Sequence, residues 1–301
     1  MSNEFYAKDY ITGDEFLVYE YIDGWWKTAP DKVDYNKYYP DLYYSKGRQR
    51  FPFIIEAIQN LLYSYRSKYL IRLNKQKGTV LDIGCGPGHL LNQFLNNGCI
   101  CKGIEYSDVA AEIPRNKYKL DVLVGDISKI NFEEMKFDII VSWHTLEHME
   151  DPHVAVKKMV ELLNPGGLLY ISVPNIGSTE AMISKNNWFH LDVPRHLNHY
   201  SDQFMKNLLV TYNTKILDIS YLNLEYDTFS TIQSWQNRIG IEHNLLYKSL
   251  KNILPKDKKF AFDVIIAYVL AVLFFPVAVL NNIYRAYKRD GAVVSIIAKK
   301  I

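Results

Sequence analysis

Along residues 77–222, short apolar runs alternate with segments whose apolar positions recur every three or four residues. The runs cover 79–83, 99–105, 120–124, 137–142, 168–173 and 215–222, and each reads as a strand. Between them, Leu90, Leu91, Phe94 and Leu95 share one helical face, and 151–163 is amphipathic. The turn Asn164-Pro165-Gly166-Gly167 precedes the fifth run, and Ser201 is a good N-cap for a helix ahead of the sixth. Strands that are nearly continuous in apolar residues, alternating with helices, predict a parallel sheet covered on both faces. The expected fold class is α/β, Rossmann-like and doubly wound. It has seven mainly parallel strands, the last antiparallel.

Outside that stretch the pattern changes. Residues 1–50 are crowded with aromatics: Tyr19, Tyr21, Trp25, Trp26, Tyr35, Tyr38, Tyr39, Tyr43 and Tyr44. Gly24, Pro30, Pro40 and Gly47 interrupt any long period, so loops and short helices are expected there. Such residues suit a lid or substrate-facing surface, and equally suit packing on the main domain. Over 53–73, Ile54, Ile55, Ile58, Leu61, Leu62, Tyr65, Tyr69 and Leu70 predict a helix. Near the other end, 292–300 predicts a final strand. Between it and the sixth strand, 264–280 is uncharged and mostly apolar, with Pro276 inside. The expected organisation is a cap segment at 1–76, a core at 77–222, a helical insertion at 223–291 and a last core strand at 292–301.

Composition narrows the classes. The 301 residues carry 35 Lys/Arg and 33 Asp/Glu, a formal charge of +2, which gives no global reason to expect a nucleic-acid partner. Cys85, Cys99 and Cys101 have no CxxC spacing and suggest free thiols in a reducing, cytoplasmic compartment. The first residues lack the apolar core of a signal peptide.

The candidate chemistry gathers where strands end. The first run stops at Gly84, Gly86 and Gly88, a turn that brings backbone N–H groups and a helix N-terminus to a ligand, or that is simply a glycine-rich strand–helix turn. Glu105 ends the second run, placed to accept from ribose hydroxyls beside that turn. Asp126 follows the third, residues 143–148 (Trp-His-Thr-Leu-Glu-His) the fourth, and Pro174-Asn175 the fifth. Ligands of parallel sheets bind beyond such strand ends.

These residues together resemble the class I S-adenosylmethionine-dependent methyltransferases, over about half of the chain. A nicotinamide dehydrogenase fingerprint, GxGxxG, fits less well: the third glycine comes one residue early and His89 takes its place. The resemblance implies that Gly84, Cys85, Gly86 and Gly88 pass under the methionine part of S-adenosylmethionine. Asp82 would hold the turn and the amino group, Glu105 and its neighbour Tyr106 the ribose, and Asp126 with the Ile127 N–H the adenine. His144 would line the pocket near the methyl group. On a helical turn His144, Glu147 and His148 would share one face, and a histidine there could take an acceptor's hydroxyl proton. Related O-methyltransferases hold a divalent ion with Glu-x-x-Glu-His and a later histidine such as His196 or His199. Here His144 stands in the first place, so no metal ligand is assigned.

Residues 187–201 crowd His190, His196, His199, Asp192 and Arg195. Pro194-Arg195-His196-Leu197 resembles a segment of bacterial methyltransferases found among surface-polysaccharide genes. Arg195 could grip an acceptor phosphate or carboxylate, with His196 beside it, or Arg195 could pair with Asp192 while His196 caps the next helix. The apolar stretch 264–280, with Lys256, Lys258 and Lys259 before it and Arg285, Lys288 and Arg289 after it, suggests peripheral membrane contact, bent at Pro276 into a hairpin, or else a buried or dimer-forming helix. The expected function is O-methylation of a lipid-linked saccharide or other amphiphile on the inner face of the cell membrane. A small-molecule or quinone-precursor methyltransferase and a non-catalytic scaffold are the alternatives.

Overall fold

The structure, a computed structural model, describes residues 3–30, 34–38, 53–224, 226–251, 253–254 and 261–301. Tyr39, Pro40, Tyr43, Tyr44 and Gly47, and Lys256, Lys258 and Lys259, lie outside the described residues. In chain order the elements are β1 (Glu4–Lys8), β2 (Glu15–Ile22), β3 (Trp25–Ala29), α1 (Tyr35–Tyr38), α2 (Phe53–Asn74), β4 (Thr79–Ile83), α3 (His89–Asn96), β5 (Ile100–Glu105), α4 (Asp108–Tyr118), β6 (Asp121–Val124), β7 (Phe137–Trp143), α5 (Pro152–Leu162), β8 (Leu163–Pro174), α6 (Thr179–Ser184), β9 (Asn198–Tyr200), α7 (Asp202–Thr211), β10 (Thr214–Ser220), α8 (Asp227–Arg238), α9 (Leu245–Leu250), α10 (Ala261–Tyr287) and β11 (Val293–Lys300). They fall into two compact units. One comprises Met1–Tyr43, Pro174–Met205 and Ser220–Val294; the other comprises Tyr44–Val173, Lys206–Ile219 and Ser295–Ile301.

The second unit is built on the expected seven-stranded, mostly parallel sheet, ordered β10-β11-β8-β7-β4-β5-β6, with the last strand antiparallel. β4 lies between β5 and β7 and is parallel to both. The chain runs outward from β4 through β5 and β6, then returns to place β7 and β8 on the other side. Strand order therefore reverses at β4, and the crevice of such a sheet opens beyond its C-terminal end. Val80, Leu81 and Ile83 are buried because helices cover both faces, and Val80, Leu91, Phe94, Ile139, Val141 and Leu168 share one core. α2 is a helix as expected, but only part of the expected stripe packs inward. Ile58, Leu61 and Tyr65 are exposed, whereas Tyr63, Ser67 and Leu70 are buried. The small Ser67 lets the helix approach α3, where Asn97 donates to its hydroxyl at 3.4 Å.

In the first unit the expected loops of residues 1–30 are an antiparallel meander, β1-β2-β3, extended by β9. The alternation in β2 explains it: Phe16 and Val18 point into a core with Trp188, Leu191 and Val193, while Glu15 points out. The β2–β3 connection turns on Asp23-Gly24, a strong hairpin signal that the aromatic crowding obscures. Gly24 has a left-handed φ of +74°, and a Cβ there would collide with the Ser201 hydroxyl.

The helices α8, α9 and α10 also belong to this unit, with Ile232, Leu245, Leu246, Ala267 and Ala278 as their shared core. Pro276 does not fold the apolar stretch into a hairpin: α10 is one helix of 27 residues. Pro276 and Val272, four residues earlier, both lie on its exposed side, so the carbonyl that loses its donor is not sealed in the core.

Candidate functional site

The end of β4 carries the site. Gly84, Gly86 and Gly88 have φ of 69°, 49° and 77°, all left-handed. They are not equivalent. A Cβ at Gly84 would lie 2.3 Å from Thr145 Oγ1, and one at Gly88 2.6 Å from Pro114 Cβ, so both are fixed by close packing. A Cβ at Gly86 would meet none of the described residues within 4 Å. The turn is thus anchored at its ends and open in its middle.

Its backbone N–H groups, expected to face a ligand, are taken up by protein acceptors in this structure. Gly84 and Cys85 donate to the Ile104 carbonyl at 2.8 and 3.0 Å, and Gly88 donates to Cys85. Gly86 donates to Glu105 Oε2 at 2.9 Å, and Pro87 has no N–H. The glycines shape a surface; they do not supply donors. The other oxygen of Glu105 accepts from the Tyr106 N–H at 2.9 Å. The carboxylate is therefore fixed at the rim, with lone pairs left on both oxygens. The Tyr106 side chain is exposed.

Beneath the turn, Asp82 is buried, and burial followed by the nearby charge of Glu105 raises its carboxyl to about 7. An acid held this way favours a cationic partner. Cys85 is also buried, which pushes its thiol up and leaves it neutral. Gly103 on β5 makes room for that sulfur, since a Cβ there would be 2.8 Å from Cys85 Sγ. After β6, Asp126 accepts from the Ser128 N–H and hydroxyl through Oδ1, both at 2.8 Å, while Ile127 is buried. Its other oxygen is 3.7 Å from Lys129 Nζ.

The loop after β7 departs from the expected helical turn. His144 adopts a left-handed φ of 52° and its N–H donates to the Ser172 carbonyl. A 3₁₀ turn then spans Leu146–His148. His144 Nδ1 still faces Glu147 Oε1 at 3.4 Å, with the Glu147 side chain 1% exposed. The structure thus pairs His144 with Glu147 and keeps His148 in the same short turn.

Sequence reasoning missed the aromatic groups that α2 contributes. Tyr63 stacks on His89 at 5.9 Å and meets Trp143 edge-on at 5.3 Å, and the Arg66 guanidinium lies 4.1 Å over Trp143. His89 Nδ1 is hydrogen-bonded to the Tyr118 hydroxyl at 2.8 Å. The signal was the alternative helical stripe of Tyr63, Ser67 and Leu70, hidden by the more apolar one.

Arg195 and His196 belong to the first unit. Arg195 donates to Asp192 Oδ1 at 2.7 Å and to the Tyr38 carbonyl at 3.0 Å. It also pairs with Asp9 at 2.7 Å and covers the Tyr10 ring at 4.3 Å. With its side chain fully buried, the guanidinium is a tie inside this unit, the pairing alternative and not an open acceptor clamp. His196 Nδ1 is bonded to the His190 carbonyl at 2.8 Å instead of capping a helix, and His199 Nε2 to Thr28 Oγ1 at 2.9 Å.

Comparison with known proteins follows this geometry. A family model described as a methyltransferase domain matches residues 47–219. A ubiquinone biosynthesis O-methyltransferase of Coxiella burnetii (strain Dugway 5J108-111) is 31% identical over 122 residues, covering 38% of this chain and 52% of the relative. One from Histophilus somni (strain 2336) is 35% identical over 106 residues, covering 32% and 44%. The chain spans about half the length of the curated relatives it matches. Among solved structures, a putative sarcosine dimethylglycine methyltransferase from Galdieria sulphuraria shares the fold, with TM-score 0.54 and 12% identity over 89% of this chain and 98% of that one.

Proposed function

Because the chain belongs to the methyltransferase-domain family, we propose that it methylates a hydroxyl group of an amphiphilic acceptor. It is an S-adenosylmethionine-dependent methyltransferase. The residues present fit that cofactor. The turn is open above Gly86, Glu105 is fixed at its rim, and the acid of Asp82 lies beneath it. The opening at Gly86 carries the reading, because it is the one glycine of the turn at which a Cβ would meet none of the described residues within 4 Å.

When bound, S-adenosylmethionine supplies a methyl carbon on a sulfonium, already a strong electrophile. The chain's own residues bind, orient and exclude water. Asp82 would hold the amino group, Glu105 the ribose hydroxyls through its remaining lone pairs, and Asp126 with the Ile127 N–H the adenine. Tyr63, Arg66 and Trp143 shield the loop after β7 from water. His144 would be the base: its Nε2 would take the acceptor's hydroxyl proton as the methyl group passes from the sulfonium sulfur to the oxygen, the carbon–sulfur bond breaking to leave S-adenosylhomocysteine. Glu147 orients the ring through Nδ1 and stabilises the imidazolium. His148 assists in the same turn, and Arg195 and His196 act as positioning residues within their own unit.

His144→Ala is expected to lower kcat by about 10²–10⁴-fold with S-adenosylhomocysteine affinity unchanged. Single-turnover methyl transfer beside calorimetry checks this; an unchanged rate removes His144 from the base role.

Two acceptor classes share the amphiphilic chemistry. The names of the relatives favour a quinone precursor, and the Pro194-Arg195-His196-Leu197 segment favours a lipid-linked saccharide. Transfer of labelled methyl into a membrane extract separates them. Label that mild acid releases from lipid as saccharide supports the second, and label retained on a phenolic lipid the first. Label found only on water-soluble products contradicts both. Free thiols at Cys85, Cys99 and Cys101 agree with a cytoplasmic protein.

A further inference from the structure

The helix α10 is unlike the others of its unit. Its apolar window has a mean hydropathy of 2.6, yet only 11% of that window is buried. A core helix of this composition would be mostly covered. Phe262, Ile265, Val272, Leu273, Phe275 and Leu280 are between 55% and 74% exposed. At 1.5 Å per residue the 27 residues extend about 40 Å, so this apolar face is far larger than the scattered exposure of a soluble surface.

The opposite face is fixed to protein along most of that length. Gln236 Nε2 donates to the Ala267 carbonyl at 2.8 Å, and Asn282 meets the Thr231 hydroxyl at 3.0 Å and Thr228 at 3.4 Å. Ala267 and Ala278 are fully buried. The partner helix α8 buries polar groups: Ser230 bonds Glu180 at 3.0 Å, and Ser234 accepts from the Phe189 N–H at 3.0 Å. Glu180 and Asp227 are buried too. If α10 crossed a bilayer, this polar helix, with the buried Glu180 and Asp227 beside it, would have to follow it into hydrocarbon, where such groups are costly. Geometry and composition agree if α10 lies in the plane of a surface, with one face wetted by lipid and the other on protein.

Charge indicates which surface. Between residues 251 and 289 there are seven Lys/Arg and two Asp, against a net of +2 for the whole chain. Lys288 and Arg289 are exposed just beyond the helix. Tyr268, Tyr284 and Tyr287 are 40%, 57% and 81% exposed, the amphipathic rings that settle at headgroup depth. We propose that α10 is a monotopic docking helix that lies flat on an anionic lipid surface, its exposed apolar face in the acyl boundary and the flanking basic residues on the headgroups.

The test uses the full chain and reads no methyl transfer, so it and the acceptor assignment can fail separately. The chain is floated with vesicles of mixed phosphatidylglycerol and phosphatidylethanolamine, and with phosphatidylcholine alone. Expected are binding to the anionic vesicles, weaker binding to neutral ones, and a fall of at least about tenfold for the pair Val272→Glu and Leu273→Glu. Spin labels on Ile265→Cys, Val272→Cys and Leu280→Cys are expected at one common depth. No flotation, or equal flotation of the paired variant, overturns the proposal. A deep centre with shallow ends means a spanning helix and overturns it. A wild-type dimer that does not float and that the paired variant dissolves into monomers assigns the face to a second copy, and overturns it as well.

Discussion

Asp82→Asn is expected to stabilise the protein at about pH 8 and to weaken its hold on S-adenosylhomocysteine. In the folded chain burial raises this carboxyl to about 7, from an ordinary value of 3.8. The folded state therefore binds its proton more tightly than the unfolded state. Above about pH 7 the charged group opposes folding in full, and below about pH 4 the opposition is gone. The shift corresponds to roughly 4 kcal/mol, and the variant should recover about half of it, because a buried amide also loses hydration. The gain should shrink as pH falls, cross zero at about pH 5.5 and turn into a loss of similar size near pH 4 in denaturant titrations. Binding should move oppositely. Loss of a charge-assisted contact weakens affinity about 10–100-fold at pH 8. In the wild type, affinity should fall about tenfold per pH unit below 7 as Asp82 takes up its proton. A flat affinity between about pH 5.5 and 8 would exclude Asp82 from cofactor binding.

The two substitutions Gly86→Val and Gly84→Val are expected to fail in different ways. Both positions have left-handed backbone, which costs a branched residue about 1–2 kcal/mol. At Gly84 the new side chain also collides with Thr145, adding about 1–3 kcal/mol of overpacking. At Gly86 its Cβ meets none of the described residues within 4 Å. Gly86→Val should therefore stay folded and lose cofactor binding by about 100-fold or more, because it fills the cradle. Gly84→Val should lose stability first. Equal losses of stability in the two variants, with Gly86→Val still binding normally, would mean that the opening at Gly86 has no ligand.

The core of the second unit was legible because its signals are local. Short apolar runs ending in glycine or an acid place β4, β5 and β6 and their strand-end groups without knowledge of the rest. The role of the turn was not legible, since whether its N–H groups are free depends on Ile104 and Glu105, twenty residues away in sequence. Partner choice also hid the α2 face, where the stripe that packs holds Tyr63 and Ser67 and is less apolar than the one left in solvent. In the first unit, aromatic density masked the period-two pattern of β2 and the Asp23-Gly24 turn. Arg195 looked like an acceptor clamp because nothing near it in sequence reveals Asp9 as its second partner. Pro276 suggested a bend, but the length of α10 and its packing on α8 keep it a single helix.

The measurement that bears most directly on the central claim is calorimetric titration of the full chain with S-adenosylhomocysteine, beside the Gly86→Val variant. Saturable binding at one site per chain, lost in the variant while its thermal unfolding remains cooperative, is the predicted result. No heat of binding to the folded wild-type chain, or equal binding by both, would contradict it.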